Sequence, residues 1–159
     1  MIGLGGRGMD TKDAFVAELD RRVAEATGKG YCCAQVVLSI CLERMGVRDD
    51  VMLRSAVGLC GGGAGDACGA LAGAAMILGL RLGPEKLGGP RSEGQKAALK
   101  ALTETFAAYM GSTSCSAISK NDPHIKHTFC PSVMAGAVEI VRSMLLERGI
   151  DPDRKFSVR

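Results

Sequence analysis

The chain has 159 residues, which is the size of one domain, and 47% of them are apolar, so it can bury a substantial core. It has no Trp and only 4% aromatics, so that core must be built from Ala, Val, Ile, Leu and Met. A net charge of +3, spread without any basic tract or aromatic interleaving, argues against nucleic-acid binding.

Residues 1–9 carry no pattern of charged start followed by an apolar run, and read as a disordered leader or as codons upstream of Met9. A reducing cytoplasm is the default that follows. Asp10 can cap a first helix to about Thr27, with Phe15, Leu19, Val23 and Ala26 on one face and Gly28 as its stop. A second helix is expected from about Cys32 to Met45. A short third one, capped by Asp49 or Asp50, carries Val51, Leu53 and Val57. The glycine run from Gly58 to Gly65 reads as a loop, and a fourth helix runs from about Cys68 to Leu82. The apolar stretch from Ala67 to Leu80 has many glycines before it and Asp66 at its edge, so it is expected to be a core helix rather than a membrane span.

The segment from Gly83-Pro84 to Pro90 is a turn region. Ser92 caps a fifth helix to about Met110, with Leu99, Leu102, Phe106 and Met110 on one face. A turn or short helix from Cys115 to Ser119 follows, then a loop from Asn121 to Phe129. Pro131 suits the first position of a last helix, where its missing N–H costs nothing. Met134, Val138, Val141 and Leu145 form that helix's buried stripe and Gly149 closes it. No strand and no repeat is expected. The fold class is all-α, a single-domain bundle of about five to six helices over residues 10–150, with a frayed tail from Asp151 to Arg159.

The chemistry lies in seven cysteines. Cys41 sits mid-helix among Leu38, Ile40 and Leu42 and reads as plain core. Cys60 lies in the glycine loop and reads as incidental or accessory. Cys32 and its neighbour Cys33 point about 100° apart on a helix, so only one can face a given site well. Cys33, Cys68, Cys115 and Cys130 share a placement at helix starts, next to glycine or proline. The exposed N–H groups and partial positive charge of a helix start favour the thiolate, which ligates metal and attacks disulfides. Four core cysteines would have no reason to share that placement, so the four are expected to form one site. Their spacings match neither zinc ribbons nor ferredoxins, and no Cys-x-x-Cys-His is present for haem. An iron–sulfur centre and a dithiol pair both remain open.

Two other patterns carry weaker readings. His124 and His127 with Cys130 give His-x-x-His-x-x-Cys, which together with Cys115 allows a zinc module, although a solvated loop explains the histidines as well. The glycine run lacks the Gly-Lys-Ser/Thr of a phosphate loop and any preceding strand. Its physical use is close backbone approach and free N–H groups around Cys68, which is thereby expected to be the most thiolate-like cysteine unless burial opposes it. Asp66 reads as a cap for the fourth helix.

Gly30-Tyr31-Cys32-Cys33-Ala34-Gln35, the Gly61-Gly62-Gly63 run, Cys68-Gly69-Ala70-Leu71-Ala72-Gly73 and the two later cysteines resemble the redox-active C-GCAxxG-C-C family, over about residues 12–148. The resemblance carries the family's cysteines onto Cys33, Cys68, Cys115 and Cys130. Cys32 departs from it, since members often have Asn there, and could compete with Cys33 as ligand or nucleophile. The family is also similar to the iron–sulfur module of split-Soret cytochromes, which implies a [2Fe–2S] cluster on the four cysteines, one that an aerobic preparation can lose. Cys33 and Cys68 are the expected reactive residues; in a metal-free thiol–disulfide protein Cys33 and Cys68, or Cys115 and Cys130, would cycle between dithiol and disulfide. The function implied is a cysteine-based redox protein, an electron carrier or an oxidoreductase. Its partner would be another redox protein; a homodimer is compatible with the chain, and stable membrane insertion is not expected.

Overall fold

The structure, a computed structural model, describes residues 11–157. Among them are eight α-helices and one 3-10 segment, with no strand beyond an isolated bridge between Ala67 and Ser114. The helices are α1 (Thr11–Gly28), α2 (Cys33–Arg44), α3 (Asp50–Ser55), α4 (Gly69–Leu82), α5 (Glu93–Met110), α6 (Cys115–Ser119), α7 (Pro123–Thr128) and α8 (Cys130–Glu147); the 3-10 segment is Ala56–Gly62. The expected disordered leader and the Asp10 cap lie outside the described residues.

α2 is the centre of the bundle. It packs against α1, α4, α8 and the 3-10 segment. Ala34, Val36, Val37, Leu38, Ile40 and Leu42 are all buried, so no face of it is left for solvent along that run. Its contact with α4 is close because α4 is small-sided there: a Cβ at Gly73 would meet Ala34 O at 2.9 Å and Val37 Cβ at 3.2 Å. Leu19, Val23 and Ala26 of α1, Leu102 and Phe106 of α5, and Met134, Val138, Val141 and Leu145 of α8 complete the core. These are the faces that helical periodicity assigns. No helix is long and apolar enough to cross a membrane among the described residues.

The caps follow ordinary helix-end chemistry, in which a side-chain oxygen takes one of the unpaired first-turn N–H groups. Asp49 accepts from Met52 N–H at 2.8 Å, and Ser92 Oγ accepts from Gln95 N–H at 3.0 Å. Three expectations are corrected. The glycine run is not all loop: its first half forms the 3-10 segment, kinked at Cys60 and at Gly61, where φ is +61°. The stretch after Pro123 is a helix rather than a loop, because Asp122 caps it from His124 N–H at 2.7 Å and Pro123 supplies a preset φ.

The tail is also docked rather than frayed as far as Phe156. Asp153 takes a two-pronged hydrogen bond from Arg44, at 2.7 and 2.8 Å, and a third from Arg142 at 3.0 Å. The same two guanidinium groups lie over the Phe15 ring, at 5.2 and 4.8 Å from its centre. Arg81 donates to the carbonyls of Asp151 and Arg154, and Phe156 N–H donates to Met45 O at 3.1 Å. Polar residues spaced along a C-terminal segment look like a solvated tail in sequence, because their arginine partners lie far away in the chain.

Candidate functional site

Each of the four expected cysteines stands at the N-terminal end of a different helix. Cys33 is the first residue of α2, Cys68 is the N-cap of α4, Cys115 begins α6 and Cys130 begins α8. The bundle brings these four ends to one place. Their side chains line one small cavity of about 30 Å³, closed on its other sides by apolar residues including Ile118, Val133 and Met134. Cys68 is buried, and Cys33, Cys115 and Cys130 are half-buried. All four are free thiols.

Backbone geometry explains the convergence. Asp66 sits in the left-handed region at φ +64°, which a short polar side chain tolerates. The turn lets its carbonyl accept from Cys115 N–H at 2.6 Å, while Cys68 N–H donates to Thr113 O at 2.8 Å. The starts of α4 and α6 are thereby tied side by side. The Asp66 carboxylate then reaches the first turn of α6, accepting from Ser116 N–H at 2.9 Å and from the hydroxyls of Ser116 and Ser114. These bonds hold its carboxyl below the usual carboxylate range. Asp66 is therefore not the cap of α4 but an anchor for α6.

Glycines bring the remaining walls in. A Cβ at Gly69 would land on Cys33 Sγ, with Leu59 O at 2.9 Å and Cys60 Cα at 3.3 Å. A Cβ at Gly62 would meet Cys115 Cβ at 3.0 Å. Small residues in this stretch thus serve two ends: Gly73 admits the neighbouring helix, and Gly69 makes room for a sulfur.

Cys68 does not behave as the glycine run suggests. Burial pushes its thiol up, more than the N–H groups of Leu71 and Ala70 pull it down, and the Cys33 and Cys115 sulfurs push the same way. Cys130 is also raised, by burial first and then by Cys68, Cys33 and Cys115, with Lys126 opposing. Cys41, in the core beside Arg44, is pushed up to about 12 by burial.

The remaining two cysteines are joined. Cys32 and Cys60 form a disulfide with Cα atoms 5.9 Å apart. While it is held in that bond, Cys32 does not compete with Cys33. Nothing in the spacing of Cys32 and Cys60 announces the pairing, because it depends on how the 3-10 segment folds back over the start of α2. His124 and His127 are exposed on α7 and are not among the cavity's lining residues.

A family model described as "Putative redox-active protein (C_GCAxxG_C_C)" matches residues 31–144. The chain belongs to that family. Neither curated proteins nor solved structures gave a match. The matched region of this C_GCAxxG_C_C protein begins just before Cys33 and contains all four converging cysteines.

Whether those cysteines suit a metal centre turns on their chemistry and spacing. Four cysteine sulfurs are the donor set of a [2Fe–2S] cluster, and apolar walls suit a bound centre of that kind. Among the described residues no group of three or more His, Cys, Asp or Glu already stands in a metal-holding cage. The donors fit; the sulfurs would have to draw into ligating geometry around the centre.

Proposed function

We propose that this family member is an electron-transfer protein whose [2Fe–2S] centre is held by Cys33, Cys68, Cys115 and Cys130. The observation that carries the reading is the meeting of four free thiols, from four separate helix starts, in one apolar-walled cavity. A structural cysteine needs only apolar neighbours. Four brought together would repel one another as thiolates, and burial first, then Cys68, Cys33 and Cys115, holds Cys130 toward its neutral thiol. A cationic centre would offset that repulsion and hold all four as thiolates.

The bound cluster would supply one-electron chemistry. The protein's own residues supply the rest. The Ala70 and Leu71 N–H groups donate toward the Cys68 sulfur and stabilise its negative charge. Ile118, Val133 and Met134 supply apolar wall beside the sulfurs. Asp66 holds α6, and hence Cys115, against the start of α4. The physiological counterpart would be another redox protein, and the compartment we propose is the cytoplasm, whose reducing poise would keep the four free thiols available to a metal centre.

Anaerobic purification followed by visible absorption spectroscopy tests this reading. A coloured protein, bleached by dithionite and restored by a mild oxidant, is the expected result. Colourless protein without iron, in a chain that stays colourless after anaerobic incubation with iron and sulfide, contradicts it. Zinc in place of iron would instead support a zinc-binding module, and a new disulfide among the four would support a metal-free dithiol protein.

A further inference from the structure

Outside the four-cysteine cavity, Cys32 and Cys60 are the residues whose chemistry remains unused. Both residues are half-buried. Cys32 is the N-cap of α2, a helix of 12 residues. Cys60 sits at the kink of the 3-10 segment, followed by Gly61 and Gly62 at φ +61° and +79°. Two turn hydrogen bonds follow it, Gly63 N–H to Cys60 O and Asp66 N–H to Gly62 O. Glycines 58, 61 and 65 have open space where a Cβ would be. The disulfide joins the start of α2 to the kink of the 3-10 segment. Gln35 Oε1 lies 3.3 Å from Cys32 Sγ, placed to accept from the thiol once it is reduced.

We propose that Cys32 and Cys60 form a second redox site, a reversible two-electron dithiol/disulfide couple that exchanges with thiol reductants. It is separate from the four-cysteine cavity and does not depend on any metal there. In the reductive direction an external thiolate attacks Cys60 Sγ. The Cys32–Cys60 bond breaks, and Cys32 leaves as a thiolate at the start of α2, whose positive end favours that leaving group. Cys32 then takes a proton. A second thiol of the reductant attacks the mixed disulfide, frees Cys60 as a thiol and departs as the reductant's own disulfide. Two reductant thiols are oxidised to one disulfide, and two electrons and two protons arrive on Cys32 and Cys60.

The site's position gives the couple a use. Cys60 Cα and Leu59 O lie against Gly69, at the spot where Cys33 Sγ also packs. A two-electron couple and the four-thiol cavity thus share one wall.

The test uses the full chain, folded, at neutral pH. It is equilibrated with reduced and oxidised glutathione, or with dithiothreitol, then quenched with an alkylating reagent and mapped by peptide mass spectrometry. The expected result is two added labels, one on Cys32 and one on Cys60, appearing together as the buffer becomes reducing and disappearing when oxidised glutathione is restored. Circular dichroism should stay unchanged throughout. Opening by both reagents supports the proposal with monothiols as reductants; opening by dithiothreitol alone supports it with dithiols. A pair that stays closed to both until urea unfolds the chain is a structural disulfide, and overturns the proposal. So does a pair that fails to re-form in oxidised glutathione. The iron content of the same samples separates the two readings: a colourless, iron-free protein whose pair still titrates leaves this proposal standing. In the double variant C32A/C60A, bound iron is expected to persist; its loss from a folded chain would show that the pair belongs to the metal site.

Discussion

The Asp66 carboxylate accepts from the Ser116 backbone N–H at 2.9 Å, so one side chain before α4 fixes the first turn of α6. That relationship sets the separation of Cys68, two residues after the first partner, and Cys115, one residue before the second.

Asp66→Ala is therefore expected to lower iron retention while leaving far-UV circular dichroism unchanged, since the bundle core does not involve Asp66. The pH dependence has a definite sign. The folded-state carboxyl lies below its ordinary value, so its stabilising bonds are fully present above the unfolded pKa of about 3.9 and are lost as pH falls through the folded value. Thermal melts of wild type and Asp66→Asn should differ at neutral pH and converge in strong acid. Equal melting at neutral pH would contradict the anchoring role.

Asp153 predicts a second acid-sensitive contact. Arg44 and Arg142 hold its carboxyl low, chiefly through the Arg44 hydrogen bond. Its contribution too is present above about pH 4 and is lost below it. Asp153→Ala should cost roughly 1 kcal/mol, since the charged hydrogen bonds are screened by solvent at a carboxylate that is 35% exposed, read from the urea midpoint at neutral pH. A change near zero would mean that the tail is held by Phe156 and Arg81 alone.

Gly69 and Gly73 are one helical turn apart and should fail differently. Gly73→Ala presses on Ala34 O and Val37, and overpacking of that kind costs about 1–3 kcal/mol without touching a thiol. Gly69→Ala drives a methyl group onto Cys33 Sγ and should disrupt iron binding beyond any loss of stability. Iron per folded chain in the two variants distinguishes them.

Cys41 should be chemically silent. Burial holds its thiol near 12, against about 8.5 for an ordinary cysteine. It should resist alkylation at pH 8.5 in the folded chain and react only when urea is added. Labelling of Cys41 in folded protein would contradict its assignment to the core.

The helices were legible in sequence because their signals are local. Asp49, Ser92 and the Pro131 step mark helix starts, and the stripe Met134, Val138, Val141, Leu145 marks a buried face. The placement of Cys33, Cys68, Cys115 and Cys130 at helix starts was legible for the same reason, and so was Cys41 among its apolar neighbours. What was hidden depends on contacts between distant segments. Asp66 looks like the cap of the helix that follows it, yet its partners are Ser114 and Ser116. Asp153 looks solvated until Arg44 and Arg142 are placed beside it. Cys32 and Cys60 become a pair only when the 3-10 segment crosses the start of α2. For Cys68 the glycine spacing shows the N–H groups near the sulfur but not its burial, and burial is the larger effect.

The central claim is that four cysteines act as one site, and the most direct measurement is iron and acid-labile sulfide per chain in single Cys→Ser variants purified without oxygen. About two irons and two sulfides per chain are expected in the wild-type protein and in Cys41→Ser, as a [2Fe–2S] centre requires. Cys33→Ser, Cys68→Ser, Cys115→Ser and Cys130→Ser should each lose most of both while keeping their helical content. Full iron and sulfide in any of those four folded variants would contradict the single-site account.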